Sequence, residues 1–327
     1  MQFIVRRPWD VPGHRHTSEA DYRQRRLLRR EFLKSTGIAA GSSILLPIAG
    51  CARPTDQEIA DAGKVETAPA VDQVYPAQRN ADYEYGRPET AERAAAEYTN
   101  FYEFAYSKSV YRYVSKFQPS PWTLTVDGLC AKPREFDIDD LHQLFGLEER
   151  AYRHRCVETW AMCVPWTGFP LSKLLALVEP NPGARFVQFQ TFLRPDEAPS
   201  QNDSSQPWPY TEGLTIEEAR NELALLATGI FGAPLPKQHG APVRLVVPWK
   251  YGYKGCKSIV RITLTNTKPK TFWTTLAPHE YDFAATVDPE VAHPRWSQAT
   301  EWMLGTRDEY PTVKYNGYGD LVGSLYA

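Results

Sequence analysis

The most chemically loaded stretch of the chain is Y-R-H-R-C-V-E-T-W-A-M-C-V-P-W-T-G-F-P-L, from Tyr152 to Leu171, with Cys156 at its centre. Arg153, His154 and Arg155 precede this thiol, and Glu158, Trp160 and Trp166 follow it. Cations lower a thiol pKa toward the thiolate that a soft metal or a nucleophilic mechanism needs. Cys156 is therefore a candidate metal ligand, the competing reading being a small, inert side chain buried in a core. Two other stretches carry chemistry. The run W-K-Y-G-Y-K-G-C-K, 249–257, sets glycines among Lys250, Lys254 and Lys257, and such a run can offer backbone N–H groups and cations to a phosphate. Tyr98 to Phe104 mixes hydrogen-bonding and aromatic side chains, which suits the lining of a partly buried polar pocket.

Composition narrows the classes. A formal net charge of -2 argues against a nucleic-acid protein, even though aromatic residues interleave with the lysines of 249–257. The 5 cysteines form no C-x-x-C pair and no Cys/His cluster of zinc-site spacing, and an odd number argues against a disulfide framework. No C-x-x-C-H haem motif or iron–sulfur spacing occurs. With 27 prolines, the chain reads as loop-rich, which disfavours a helical bundle.

The elements that must position these residues begin after a distinctive leader. Arg29-Arg30-Glu31-Phe32-Leu33-Lys34, followed by a small, apolar run to Ala49, has the layout of a twin-arginine export signal. This assigns 1–51 to a signal region, predicts a periplasmic location and implies the twin-arginine machinery as a partner. The apolar run is broken by Pro47 and is shorter than the roughly 20 residues that span a bilayer. Ile48-Ala49-Gly50-Cys51 also reads as a lipoprotein box, with Cys51 as an alternative lipid anchor. Residues 52–88 read as a linker or extended arm, and 89–327 as the catalytic body.

Within the body, patterning predicts helices from Thr90 to Glu97 (capped by Thr90), from Asp137 to Phe145, from Pro170 to Val178, from Thr215, and from Pro294 to Leu304. It predicts strands over 122–126, 186–192, 223–228, 243–248 and 259–265. Cys156 is placed on a strand-to-loop connection held by Pro165, Gly168 and Pro170. Without a regular β-α-β period or G-x-G-x-x-G, the fold class is α+β, with mixed sheets, short helices and long loops. No internal repeat is visible.

Taken together, N-F-Y-E-F (100–104), R-C-V-E-T-W (155–160), V-P-W-T-G-F-P-L (164–171), H-G-A-P-V-R-L-V-V-P-W-K-Y-G-Y-K-G-C-K-S-I (239–259) and H-P-R-W-S-Q-A-T-E (293–301) closely resemble the catalytic subunits of periplasmic protein-methionine-sulfoxide reductases, molybdopterin enzymes with the sulfite oxidase fold. The resemblance runs from about Asn80 to the C-terminus. It implies molybdenum-molybdopterin in its mononucleotide-free form, with the metal held by the pterin dithiolene and by Cys156, in keeping with the preference of thiolates for soft metals. It further implies cofactor contacts from Thr99, Tyr102, Glu103, Thr191, His239, Arg244, Gly255, Cys256 and Lys257. Asn100 and Glu158 would lie in the substrate pocket, and Arg155 would support the thiolate. Relatives often carry Asn where this chain has Thr99 and His239, and both replacements keep hydrogen-bonding capacity. The implied reaction is two-electron oxygen-atom transfer from methionine sulfoxide residues of oxidised periplasmic proteins, with electrons from a membrane haem-bearing quinol-oxidising subunit. The alternatives are a sulfite-oxidising or other small S/N-oxide molybdoenzyme of the same fold, and an exported non-catalytic binding protein. Cys163 is expected to be a packed core thiol.

Overall fold

A computed structural model describes residues 55, 57, 59 and 74–327. The chain divides into two compact units, Met1–Arg53 and Pro54–Ala327, and only the second contains described residues. The twin-arginine run, Cys51 and much of the expected arm lie outside them.

In chain order the described strands are β1 (Leu124–Gly128), β2 (Arg134–Phe136), β3 (Glu148–Arg155), β4 (Trp160–Pro170), β5 (Phe186–Thr191) and β6 (Thr211–Thr215), followed by β7 (Leu225–Ile230), β8 (Ala233–Pro234), β9 (Arg244–Val246), β10 (Ile259–Thr265), β11 (Thr300–Met303) and β12 (Glu309–Pro311). They form two mixed sheets. One runs β2-β1-β10-β5-β6, and the other runs β12-β11-β4-β7-β8, with β3 on β4 and β9 on β7. Short helices and long connections fill the rest, so the α+β expectation describes the molecule.

The second sheet is built on β4. All 11 of its residues are buried, with β3 and β7 antiparallel to it and β11 parallel. A strand covered on both faces reads as a nearly continuous apolar run, as W-A-M-C-V-P-W-T-G-F-P does. Pro165, Gly168 and Pro170 therefore belong to this strand, not to the loop that their types suggested. Gly168 sits where the pairing with β7 slips by one residue, and a Cβ there would lie 2.2 Å from the Leu226 carbonyl oxygen. Only glycine allows that approach.

Two capping boxes match their sequence signals. Asp137 caps Ile138–Leu144 and Thr215 caps Ile216–Arg220, each with the reciprocal bond from the third helical residue. β10 covers the expected residues, and β1, β7 and β9 depart from the expected ends by one or two residues. Two expectations fail. Thr90 does not cap a helix: Glu92–Glu97 starts without a side-chain cap, and Thr90 Oγ1 instead accepts from the Cys163 backbone N–H at 3.0 Å. The helix expected over 294–304 is an irregular segment leading into β11, whose Trp302 and Met303 pair with Trp160 and Ala161. Pairing with β4 overrides local helical patterning there.

Candidate active site

Cys156 opens a tight turn joining β3 to β4. Its N–H donates to the Trp160 carbonyl at 2.9 Å and its carbonyl accepts from Thr159 N–H at 3.0 Å, with Thr159 in the left-handed region at φ 73°. Alternation along β3 decides which side chains share a face with the sulfur. His154 turns into the same cavity, packed so tightly on Gly252 that a Cβ there would lie 2.5 Å from its Nε2. Arg153 and Arg155 turn the other way. Arg153 Nε donates to the Tyr85 carbonyl at 2.5 Å, and Arg155 pairs with Glu301 at 3.0 Å and donates to Gln298 Oε1 at 2.8 Å.

The expected activation of the thiol by these three residues is therefore corrected. Burial, and then the Arg244 and Lys257 charges, hold His154 far below its ordinary pKa, so it is neutral. In the protein alone, burial and next the Glu158 carboxylate push the Cys156 thiol up to about 12. The Glu158 N–H, Lys108 and, last, Arg155 oppose that rise. A thiolate here needs a metal to stabilise it.

Beside the sulfur lies a compact polar group. Asn100 Nδ2 is 3.5 Å from Cys156 Sγ and 2.9 Å from Glu158 Oε2. That same oxygen accepts from Trp160 Nε1 at 3.2 Å and lies 3.6 Å from the sulfur. Lys108 donates to both Asn100 Oδ1 and Glu158 Oε2. Burial works to raise the Glu158 carboxyl, but Asn100, Lys108 and Trp160 outweigh it and hold the group below its ordinary value as a carboxylate. Sequence reasoning missed Lys108, since a single lysine in a loop 50 residues before its partner carries no pattern.

At the other end of the cavity stand Arg244 and Lys257. Arg244 is 1 % exposed, stacks over Trp166 at 4.6 Å, and gives Nη1 to the His239 carbonyl at 3.0 Å. Among the described residues its Nη2 has no hydrogen-bond partner, and neither has His239 Nδ1. Burial pushes Arg244 down to about 9 and His239 to about 3. Gly255 keeps the space before the guanidinium open, because a Cβ there would sit 3.0 Å from Nη2. Lys257 has no ion-pair partner among the described residues, and burial and the Arg244 charge lower its pKa. Lys250 and Lys254, expected to share this role, are instead engaged by Glu218 at 2.5 Å and Glu212 at 2.7 Å.

One cavity joins the two ends. Asn100, Cys156 and Glu158 line it with Thr99, Tyr102, Glu103, Arg244, Gly255 and Lys257. Four of the residues named from the sequence stand behind its wall. Arg155 faces Glu301; Thr191 ends β5 and donates to Glu103 Oε1 at 3.1 Å; His239 lies under Arg244; and Cys256 is 1 % exposed, its thiol pushed well up by burial. Trp273 and Tyr281, missed from the sequence, complete an aromatic rim: Tyr102 meets Trp273 at 5.1 Å, and Trp273 meets Tyr281 at 4.8 Å.

The buried cations give a pH dependence with a definite sign. Lys250 is pushed down to about 8 by burial, and Lys257 is lowered too. Between those values and the ordinary lysine pKa of about 10.4, these lysines hold more protons in the unfolded chain than in the folded one, so their own contribution to stability rises with pH. The buried thiols act with the opposite sign over the same range, because burial pushes Cys156 and Cys256 up. The lysine contribution is therefore read by difference: in cofactor-free protein followed by circular dichroism, Lys257→Met is expected to make the change in melting temperature from pH 7.5 to pH 9 less favourable than in the wild type, and an unchanged difference would contradict this.

Residues 111–273 match the family model described as the oxidoreductase molybdopterin binding domain. That stretch of the chain is therefore similar to a molybdopterin-binding oxidoreductase domain. Among solved structures, the sulfane dehydrogenase SoxCD from Paracoccus pantotrophus is similar at 16% identity, covering 84% of this chain and 63% of that one, with a TM-score of 0.42. This chain therefore spans less than two thirds of that protein.

The residues present fit such a cofactor. Arg244 Nη2 is a buried donor without a partner among the described residues, and it belongs to a residue that lines the cavity; a phosphate-bearing pterin would satisfy a donor of this kind. Among the described residues, no cluster of three or more His, Cys, Asp or Glu side chains could hold a metal alone. A metal at Cys156 would need further ligands from a non-protein group, and a pterin dithiolene supplies them.

Proposed function

We propose that this protein reduces methionine sulfoxide residues in oxidised periplasmic proteins, using molybdenum bound by Cys156 and mononucleotide-free molybdopterin. The observation that carries the choice of substrate is the Glu158 carboxylate, 3.6 Å from the Cys156 sulfur. Lys108 pairs with that carboxylate and also donates to Asn100, so the charge beside the sulfur is balanced and this lysine is not free to attract an anion such as sulfite; a neutral oxide fits such a site better.

When bound and reduced, the cofactor would supply the two electrons that go with taking up the sulfoxide oxygen atom. The residues of the chain bind and orient. Arg244 and Lys257 would hold the phosphate end in the space that Gly255 leaves open, with His239 and Thr191 behind them, and Glu103, Thr99 and Tyr102 would line the pterin. Lys108 fixes the Asn100 amide, whose Nδ2 donates to Glu158 and toward the Cys156 sulfur, and so orders the polar side of the pocket in which the sulfoxide would bind. Tyr102, Trp273 and Tyr281 offer the thioether sulfur and its methyl group the aromatic contacts that methionine sulfur favours. Overall, sulfoxide, two electrons and two protons give thioether and water. The electrons come from a membrane haem-bearing, quinol-oxidising subunit, and the twin-arginine route delivers the folded chain to the periplasm.

Metal and pterin analysis of the purified protein, followed by steady-state assays with a dye donor, tests this reading. Molybdenum with methionine sulfoxide reduction well above sulfite oxidation is expected. Sulfite preference would favour a sulfite-oxidising enzyme of the same fold, and absence of molybdenum and pterin would favour a non-catalytic binding protein.

A further inference from the structure

The turn that carries Cys156 is gripped from behind by a single stretch of chain. Trp296 Nε1 and Gln298 Nε2 both donate to the Val157 carbonyl, each at 2.8 Å, and Trp302 N–H donates to the Thr159 carbonyl at 3.0 Å. Arg155 ties this stretch to the turn, donating Nη1 to the Cys156 carbonyl and Nη2 to Gln298 Oε1 at 2.8 Å. Its Nε pairs with Glu301, whose other oxygen pairs with Arg87. Arg155, Gln298 and Glu301 are all 2 % exposed or less. The hairpin already closes through its own bond from Cys156 N–H to the Trp160 carbonyl, so strand pairing does not require these side chains. What three side-chain donors on two successive carbonyls do fix is the orientation of two peptide planes, and through them the direction of the Cα–Cβ bond that carries the sulfur.

We propose that Trp296 and Gln298 are positioning residues that aim the Cys156 sulfur through the Val157 carbonyl, with Arg155 locking Gln298 in place. This rests on the reading that Cys156 binds the metal. Neither Trp296 nor Gln298 lines the Cys156 cavity, so their effect reaches the sulfur through the backbone. Because the Val157 carbonyl has two donors, loss of one leaves the other in place.

The test uses the full-length, metal-loaded protein with Trp296→Phe, Gln298→Leu and the double variant. Molybdenum in the wild type is measured first; its absence would fail the ligation reading itself, a result separate from the positioning role. With molybdenum present, each single variant is expected to change kcat by less than about twofold. The double variant should lose about ten- to a hundredfold in kcat, with metal content and KM retained. Its electron paramagnetic resonance signal from the one-electron-reduced metal should shift or broaden, since that signal reports the metal–sulfur orientation. A double variant with wild-type signal and kcat, or changed only in melting temperature, overturns the proposal. If the double variant does not accumulate, Trp296→Phe with Gln298→Asn, which keeps an amide in the buried slot but shortens its reach, is read by the same signal and the same outcomes.

Discussion

Replacing Cys156 by serine is expected to lower dye-linked methionine sulfoxide reduction by more than about a hundredfold, beyond what is typical for loss of a group that only supports a metal ligand. Serine offers a harder oxygen that does not replace a thiolate on a soft metal. The fold should survive. The thiol is 5 % exposed, and its contacts are long: 3.5 Å from Asn100 Nδ2 and 3.4 Å from the Glu158 N–H. A smaller hydroxyl can accept from the same donors, so a cost of about 1 kcal/mol is expected, within the ordinary range for a point change. Circular dichroism and the melting temperature report the fold, while metal content and turnover report the ligand. A C156S protein with full activity would remove Cys156 from the metal.

Arg244→Met should move two measurements in opposite directions. In the cofactor-free protein, a buried guanidinium with an unsatisfied nitrogen and no ion-pair partner among the described residues is costly, and an apolar, flexible methionine removes that cost. The cofactor-free variant is therefore expected to melt at a higher temperature than the wild type. The same change removes the charge that faces the phosphate, and cofactor retention through purification should fall about ten- to a hundredfold, because losing one partner of a buried charged contact costs several kcal/mol. If R244M instead melts lower without cofactor, Arg244 stabilises the cofactor-free fold and is not held in reserve for an anion. Retention at wild-type level would place the phosphate elsewhere.

Local signals in the sequence were most legible where one element carries its own explanation. Asp137 and Thr215 announce capping boxes, Ile259–Thr265 alternates across one buried face, and Cys156 stands out by its neighbours. The face that each residue presents was less legible. Arg153 and Arg155 look like activators of the thiol in a linear reading, but strand alternation sends both away from it. Lys250, Lys254 and Lys257 look equivalent in the sequence, yet buried Glu218 and Glu212 claim two of them and leave one for the cavity. Those carboxylates lie 32 and 42 residues away, and no short-range pattern points to them. β4 was hidden by its own prolines and glycine, which signal a loop in an exposed segment but are tolerated here in a strand buried on both faces. β11 was hidden for a related reason: its pairing with Trp160 and Ala161 is a tertiary contact that no helical period reveals.

The spacing of the cavity's residues along the chain sets an order of assembly. Asn100 and Lys108 come first, the β3–β4 turn is a local hairpin that can close soon after its strands are made, and Arg244, Gly255 and Lys257 arrive about a hundred residues later. During synthesis the chain would acquire the proposed sulfur ligand, Cys156, well before Arg244 and Lys257, the proposed grip on a phosphate. On that proposal a ribosome-bound chain ending near Val178 would contain the turn but not the groups to retain a phosphate-bearing pterin. Loading would then follow completion of β9 and the glycine-lysine loop, as a late step of maturation and a chemical mark of a nearly finished fold.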